Sequence, residues 1–241
     1  MPADTPIIPA AFFEQAASLP PSTRLRWYMC VVVTLSSLNY PDVIPQVYTQ
    51  LDSHLLSTLS PEDRFNAVRK LREGLIKSTG IAGAARTGNA MRALAGCIPD
   101  DLRETRSPRS EEVDEVARER GKAFWSRIYA RNRAFDPEAS VRASPDYAFV
   151  VREVLYARIF SFDGIIDDLL TGYVIVSALY GMDCPNQLQH HMKGMLINGA
   201  TRQDLEALRD LCLGLARILG VRSRHALPSI PQTPDENELS R

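Results

Sequence analysis

Cysteine is scarce. Cys30, Cys97, Cys184 and Cys212 are scattered through 241 residues with no Cys-x-x-Cys pair. That spacing excludes a zinc framework and a disulfide scaffold, and it fits a reducing compartment. Long apolar runs are also lacking. The most apolar stretch, "WYMCVVVTLSSL" (Trp27–Leu38), is too short to span a bilayer and reads as a buried helix. No membrane partner is therefore expected. Neither sign of charge is in excess. With 28 basic and 29 acidic residues the net charge is -1, which offers no nucleic-acid surface. The amino terminus, "MPADTPIIPA", lacks the basic segment and apolar run of a secretory signal. The carboxy terminus, "ELSR", shows no recognised address motif. A cytoplasmic or other reducing intracellular location is expected. Strand signals are missing as well: alternating patterns are absent, and no Asn-Gly or Asp-Gly turn is flanked by strands.

What is present is an ordinary globular balance, 45% hydrophobic and 24% charged, together with helix punctuation. Residues 1–10 read as a flexible start and residues 227–241, rich in Pro and polar groups, as a disordered tail. A charge-dense linker covers about 98–122, with its break around Ser107-Pro108. From Glu111 it can continue as a solvated helix into "AFWSRIYARNRAF". A second loop is expected at 136–147.

Between these breaks, about 20–97 and about 147–226, two segments echo each other. "CVVVTLSSLNYP" is followed by "SPEDRFNAVRKLREGLIKSTGI", and "VIVSALYGMDCP" by "TRQDLEALRDLCLGLARILGV". In both, an apolar run leads to Pro41 or Pro185, then to a helix-length stretch. Next comes a cap, Ser60 or Thr201, with Asp63 or Asp204 three residues on. Pro61 reinforces the first capped start, and Gly80 and Gly220 are the expected stops. The pattern predicts an all-α fold, one packed helical domain over 11–226 built from two diverged pseudo-repeats.

The stretch "CPNQLQHHMKGMLINGATRQDL" (184–205) concentrates the polar groups that could do chemistry. At 100° per residue, Met192, Met195 and Leu196 fall within about 80° of Leu188 and form a core stripe. His191 lies on the flank of that stripe, with Gln187, Gly194 and Asn198 within about 60° of it. His190 lies on the opposite face, so the two histidines cannot chelate one metal and His190 reads as solvated. His191 is read either as a site residue or as a boundary histidine held for structure. Gly194 would leave room for a ligand beside it. Cys184 precedes Pro185 and so falls at a helix N-cap, where the free N–H groups and the dipole favour a thiolate. Its bland reading is a structural or incidental thiol. Asp163, Asp167 and Asp168 in "DGIIDDLL" read as caps and dipole partners.

The segment from about Tyr147 to Val221 resembles the carboxymuconolactone decarboxylase-like family, which includes alkyl hydroperoxidase D. The resemblance rests on "REVLYARIFSFDG" and on "VIVSALYGMDCPNQLQHHMKGMLINGATRQDLEAL". The family resemblance implies an all-helical trimer or hexamer, with a dimer as the alternative. Its peroxidase members use Cys-x-x-Cys-x-x-x-His, which reads here as Cys184, Gln187 and His191. The second thiol is replaced, and Gly172 stands where those members carry a relay glutamate, so dithiol chemistry is not expected. The Arg common after the core-helix Thr in the decarboxylase members is also missing, since Gly172 follows Thr171.

The expected function is therefore a lyase or isomerase. It would act on a small cyclic or unsaturated carbonyl or lactone acid by proton transfer at His191. Gln187, Asn198, Arg158 and His190 would bind substrate, Arg158 by holding a carboxylate. No metal or organic cofactor is implied. Two other classes are kept open: a redox protein that uses Cys184 alone and an external thiol, and a non-catalytic helical oligomer.

Overall fold

In the computed structural model, which describes residues 5–129, 132 and 135–232, the two most apolar runs lie side by side at the centre. One is helix α2 (Pro21–Leu38), in which every residue from Tyr28 to Ser37 is buried. The other is α8 (Asp168–Met182), buried without a break from Tyr173 to Tyr180. A helix that is apolar all round has no solvent face, so neighbours must enclose it. The few hydroxyls in these runs turn back onto their own helix. Thr34 donates to the Cys30 carbonyl at 2.8 Å and Ser177 to that of Tyr173 at 2.7 Å.

The enclosing helices are α1 (Ala10–Ala17), α3 (Ile44–His54), α4 (Pro61–Cys97), α5 (Asp114–Tyr129), α9 (Pro185–Ile197) and α10 (Arg202–Ile218). Short helices α6 (Ala139–Ala143) and α7 (Pro145–Phe149) lead into a π-helical segment, Val150–Phe160. Helix α4 packs on both α2 and α8, α3 on α4, and α10 against α8 and α2. Helix α5 lies between the π-helix and α9. The chain is all-helical and forms one domain around one continuous apolar core; no strand occurs among the described residues. None of the described helices is long and apolar enough to cross a membrane.

The punctuation falls largely where the sequence puts it. The Ser60 hydroxyl accepts the Asp63 N–H at the start of α4, and Thr201 and Asp204 form a reciprocal capping box at α10. Asp167 caps α8 by accepting the Leu170 N–H at 2.8 Å. The echo between the two halves also has a backbone counterpart. Among the described residues, the only non-glycines with positive φ are Asn39 (65°) and Asp183 (55°). Each ends an apolar run two residues before a proline. Gly220 (φ 69°) follows α10 as expected.

Four expectations need correction. Gly80 does not stop α4. The helix continues to Gly83, whose φ of 81° and ψ of 159° produce a kink open only to glycine at no steric cost. The start is not flexible from Pro6 onward, because Gln46 donates to the Pro6 carbonyl and accepts the Ile8 N–H, and Ile8 is buried. The first six residues of the tail, 227–232, dock as well: Ile230 is buried and Arg202 donates to its carbonyl. Residues 1–4 and 233–241 lie outside the described ones. Finally, the charged linker is no solvated spacer. It crosses α4, and the helix after it buries Ala117, Gly121, Phe124 and Ile128.

Candidate functional site

Helix α9 begins as expected, with Cys184 at the N-cap and Pro185 in the first turn. His191 then lies on the side facing α5, where it is 5% exposed. Its Nε2 sits 3.1 Å from the Tyr129 hydroxyl, which is 2.7 Å from the hydroxyl of Tyr156 on the π-helix. Trp125 packs on both tyrosine rings, with centroids 4.5 Å away, and Phe135 stacks on Tyr129 at 3.9 Å. Burial, and secondarily the neighbouring His190, lowers the His191 pKa to about 3. Burial also pushes the Tyr129 hydroxyl up to about 12. All three groups are therefore neutral near pH 7. His191 is a hydrogen-bonded core imidazole, not the residue on the rim of a cleft that the helical wheel places there. The room expected beside Gly194 is filled: a β-carbon there would stand 2.9 Å from Cγ2 of Ile128.

The other expected site residues do not converge on His191. Gln187 is exposed, and Asn198 is the C-cap of α9, two turns further on. Arg158 pairs with Asp114 and approaches Glu112 at 4.0 Å, so the chain's own carboxylates occupy it. Asp114 opens α5 and Tyr129 closes it, so the Arg158 pairing and the histidine contact lie about 22 Å apart along that helix at 1.5 Å per residue. His190 is not solvated. It is half-buried, with Nδ1 2.8 Å from the Asn132 amide nitrogen, and it meets the Phe135 ring edge-on. Cys184 is half-buried and its thiol donates to the Met182 carbonyl at 3.4 Å.

A different polar centre lies between α4, α8 and the end of the π-helix. Lys77 is 1% exposed. Its Nζ donates to the Phe160 carbonyl at 2.6 Å and to the Thr171 hydroxyl at 2.7 Å. Thr171 in turn donates to the Asp167 carbonyl at 2.8 Å. Both acceptors of the lysine are uncharged. Burial is the largest influence on the amine and brings its pKa down to about 7, against partial support from Glu73. Glu73, one turn earlier and fully buried, is held through both carboxylate oxygens by Arg109 from the linker. Arg109 and Arg120 lie over the ring of Phe162, 4.3 and 5.5 Å from its centroid. Arg120 is itself paired with Glu112 and reaches the Ser161 hydroxyl at 3.3 Å. The linker and residues 160–162 thus form a lid of fixed charge over one face of α4.

Sequence reasoning missed Lys77. In "EGLIKSTG" it forms an i, i+4 pattern with Glu73, the usual look of a solvated surface pair. No spacing rule marks it as buried. Among the described residues, no group of three or more His, Cys, Asp or Glu could hold a metal ion.

Comparison with known proteins alters two expectations. No family model matches the chain, and no solved structure matches it. The chain is similar to Peroxisomal protein 2 of Schizosaccharomyces pombe, 28% identical over 195 residues that cover 81% of this chain and 87% of the relative. It is also similar to Peroxisomal protein 2 of Saccharomyces cerevisiae, 23% identical over 271 aligned positions covering 89% of this chain and 96% of the relative. The resemblance to the carboxymuconolactone decarboxylase-like family is therefore withdrawn. Its motif, a small-residue helix, a Pro-started helix with one histidine and a capped acidic helix, is generic helix punctuation that this core also requires. The cytoplasmic expectation is corrected too, since both relatives are named as proteins of the peroxisome.

Proposed function

We propose that this chain is a peroxisomal enzyme that moves a proton on a small cyclic or unsaturated carbonyl compound, with the amine of Lys77 as the acid/base group. The location follows the names of the two relatives. The chemistry rests on one observation: a lysine 1% exposed in the core is bonded to a carbonyl and a hydroxyl instead of to a carboxylate. A buried ammonium without a paired anion is costly, and an apolar residue of similar size generally serves stability better. The same environment gives the amine a pKa of about 7, where it takes up and returns a proton with equal ease. His191, at about 3, is a poor base at neutral pH and is assigned to the Tyr129–Tyr156 chain. In the proposed reaction the free amine removes a proton from the carbon next to the carbonyl. The ammonium then returns it to the same or a conjugated carbon, leaving no net charge change.

The test follows exchange of α-protons in deuterium oxide by nuclear magnetic resonance, over a panel of small cyclic ketones, enones and lactone acids. The wild-type chain is expected to accelerate exchange in a subset, and Lys77→Met to remove the acceleration while remaining folded. Equal acceleration by Lys77→Met, or none by the wild type on any member, would refute the assignment.

The reading includes assembly as a homo-oligomer. Tyr147, Phe149, Val150 and Val154 expose large apolar surface along α7 and the first turns of the π-helix. Light scattering at micromolar concentration is expected to give a multiple of the 26.9 kDa chain mass; a monomer would refute it.

A further inference from the structure

A half-open cavity of about 230 Å³ lies where the first turns of α2 approach the start of α10. Trp27, Leu208 and Leu211 give it apolar walls. Arg26, Tyr173 and Asp204, with Thr23, Thr201 and Gln203, supply its polar side. The guanidinium of Arg26 lies 4.2 Å above the Tyr173 ring and 3.4 Å from an Asp204 oxygen. Asp204 is already engaged, accepting the Thr201 N–H at 2.9 Å and its hydroxyl at 2.7 Å.

Tyr173 is 3% exposed, and its buried hydroxyl makes no hydrogen bond of normal geometry; the Asp204 carboxylate is the acceptor beside it, and a ligand oxygen has to compete with that carboxylate for the proton. Most buried hydroxyls are fully satisfied, and one that is not, beside a cavity, marks where a ligand atom belongs. Burial, then the neighbouring Asp204, raises the Tyr173 pKa, so the group stays protonated and can donate. The cavity's two charges, Arg26 and Asp204, balance each other. These features together describe a recognition site with a buried hydroxyl donor, an apolar body and no net charge.

We propose that the cavity between α2 and α10 binds a small, uncharged, mostly apolar compound through one carbonyl oxygen, which accepts the hydrogen bond of Tyr173. The site is separate from Lys77. Thr171, which meets that lysine, and Tyr173 are two residues apart on α8 and so point about 160° apart around it. The inference therefore does not rest on the proposed reaction.

Three probes of one skeleton test it: acetophenone, benzoate and ethylbenzene. The readout is the indole N–H resonance of Trp27 in protein labelled at tryptophan, assigned with Trp27→Phe. Acetophenone is expected to shift this resonance saturably and to bind about tenfold more tightly than ethylbenzene, the value of one added hydrogen bond. In Tyr173→Phe, with an unchanged melting temperature, that preference should fall to within about threefold. Three results would overturn the proposal: equal binding of ethylbenzene to the wild type, tighter binding of benzoate, or a preference that survives in Tyr173→Phe. Absence of a saturable shift with any probe would overturn it as well. If Tyr173→Phe melts lower, titration of the wild type with the same three probes decides by the first two criteria.

Discussion

Replacing Lys77 by methionine keeps the aliphatic stem and removes the amine. In the folded chain the amine titrates at about 7, against an ordinary 10.5 in the unfolded chain. Between those values the unfolded state holds one more proton than the folded state. Wild-type stability therefore rises with pH by about 1.4 kcal/mol per unit across that window, close to 5 kcal/mol in all. Below pH 7 both states are protonated and the full penalty of the buried ammonium is present. Above pH 10.5 both are neutral and the penalty is gone. Methionine has no such dependence. Its absolute effect at one pH mixes relief of that penalty with the loss of a donor to the Phe160 carbonyl and Thr171, each worth about 1–3 kcal/mol if left unpaired. The difference in pH dependence is free of that ambiguity. Urea unfolding of both proteins at pH 7 and pH 9 should show the stability gap shifting by about 2–3 kcal/mol toward the wild type as pH rises. Parallel curves would mean that Lys77 titrates normally. The case for a reactive amine in the core would then fail, whatever the activity measurements gave.

His191 gives the complementary dependence on the acid side. Its folded pKa of about 3 lies below the ordinary 6.5, so stability should fall as pH drops from 6.5 toward 3, and His191→Gln should flatten that fall in acid-unfolding curves. Gly121→Val should weaken the packing of α5 on the π-helix by at least about 1–3 kcal/mol, because a β-carbon at Gly121 would stand 2.6 Å from the Ala157 α-carbon. A melting curve unchanged from wild type would refute that contact. Among the cysteines, half-buried Cys184 and Cys97 should alkylate ahead of buried Cys30 and Cys212, with Cys184 first; mass-spectrometric labelling that ranks Cys184 last would remove a single-thiol role.

The legible part of the fold was the part written in local chemistry. Ser60, Thr201 and Asp167 satisfy N–H groups within three residues of themselves, so their sequence context fixes their role. The apolar runs of α2 and α8 announce complete burial because they offer no face for water. Gly80 misled because a glycine near a helix end has two uses, as a stop or as a close-packing point. Here Gly80 packs under the Phe160 ring, a residue far off in sequence, while Gly83 carries the break. Ile8 and Ile230 were misread for a similar reason: proline and polar neighbours suggest a loose terminus, but one apolar residue and a few backbone hydrogen bonds are enough to dock it.

The candidate site was harder to read because a helical wheel gives direction without cover. The wheel put His191 beside the core stripe of α9, and the structure agrees. What the wheel could not supply was α5 lying across that flank, with Tyr129 on the imidazole and Ile128 against Gly194. The same limit acts in the opposite sense on α4. Glu73 and Lys77 lie about 200° and 240° around that helix from Leu71, on the side away from Val68, Leu71 and Leu75. Local rules assign that side to water. It is dry because Arg109 arrives from 32 residues after Lys77 and because Phe160–Phe162 arrive from the far end of the π-helix. A charge becomes chemically unusual only when a distant segment removes its solvent. Lys77 therefore differs from Lys70 or Lys193, which are only half-buried on their helices, in what covers it and not in the letters around it.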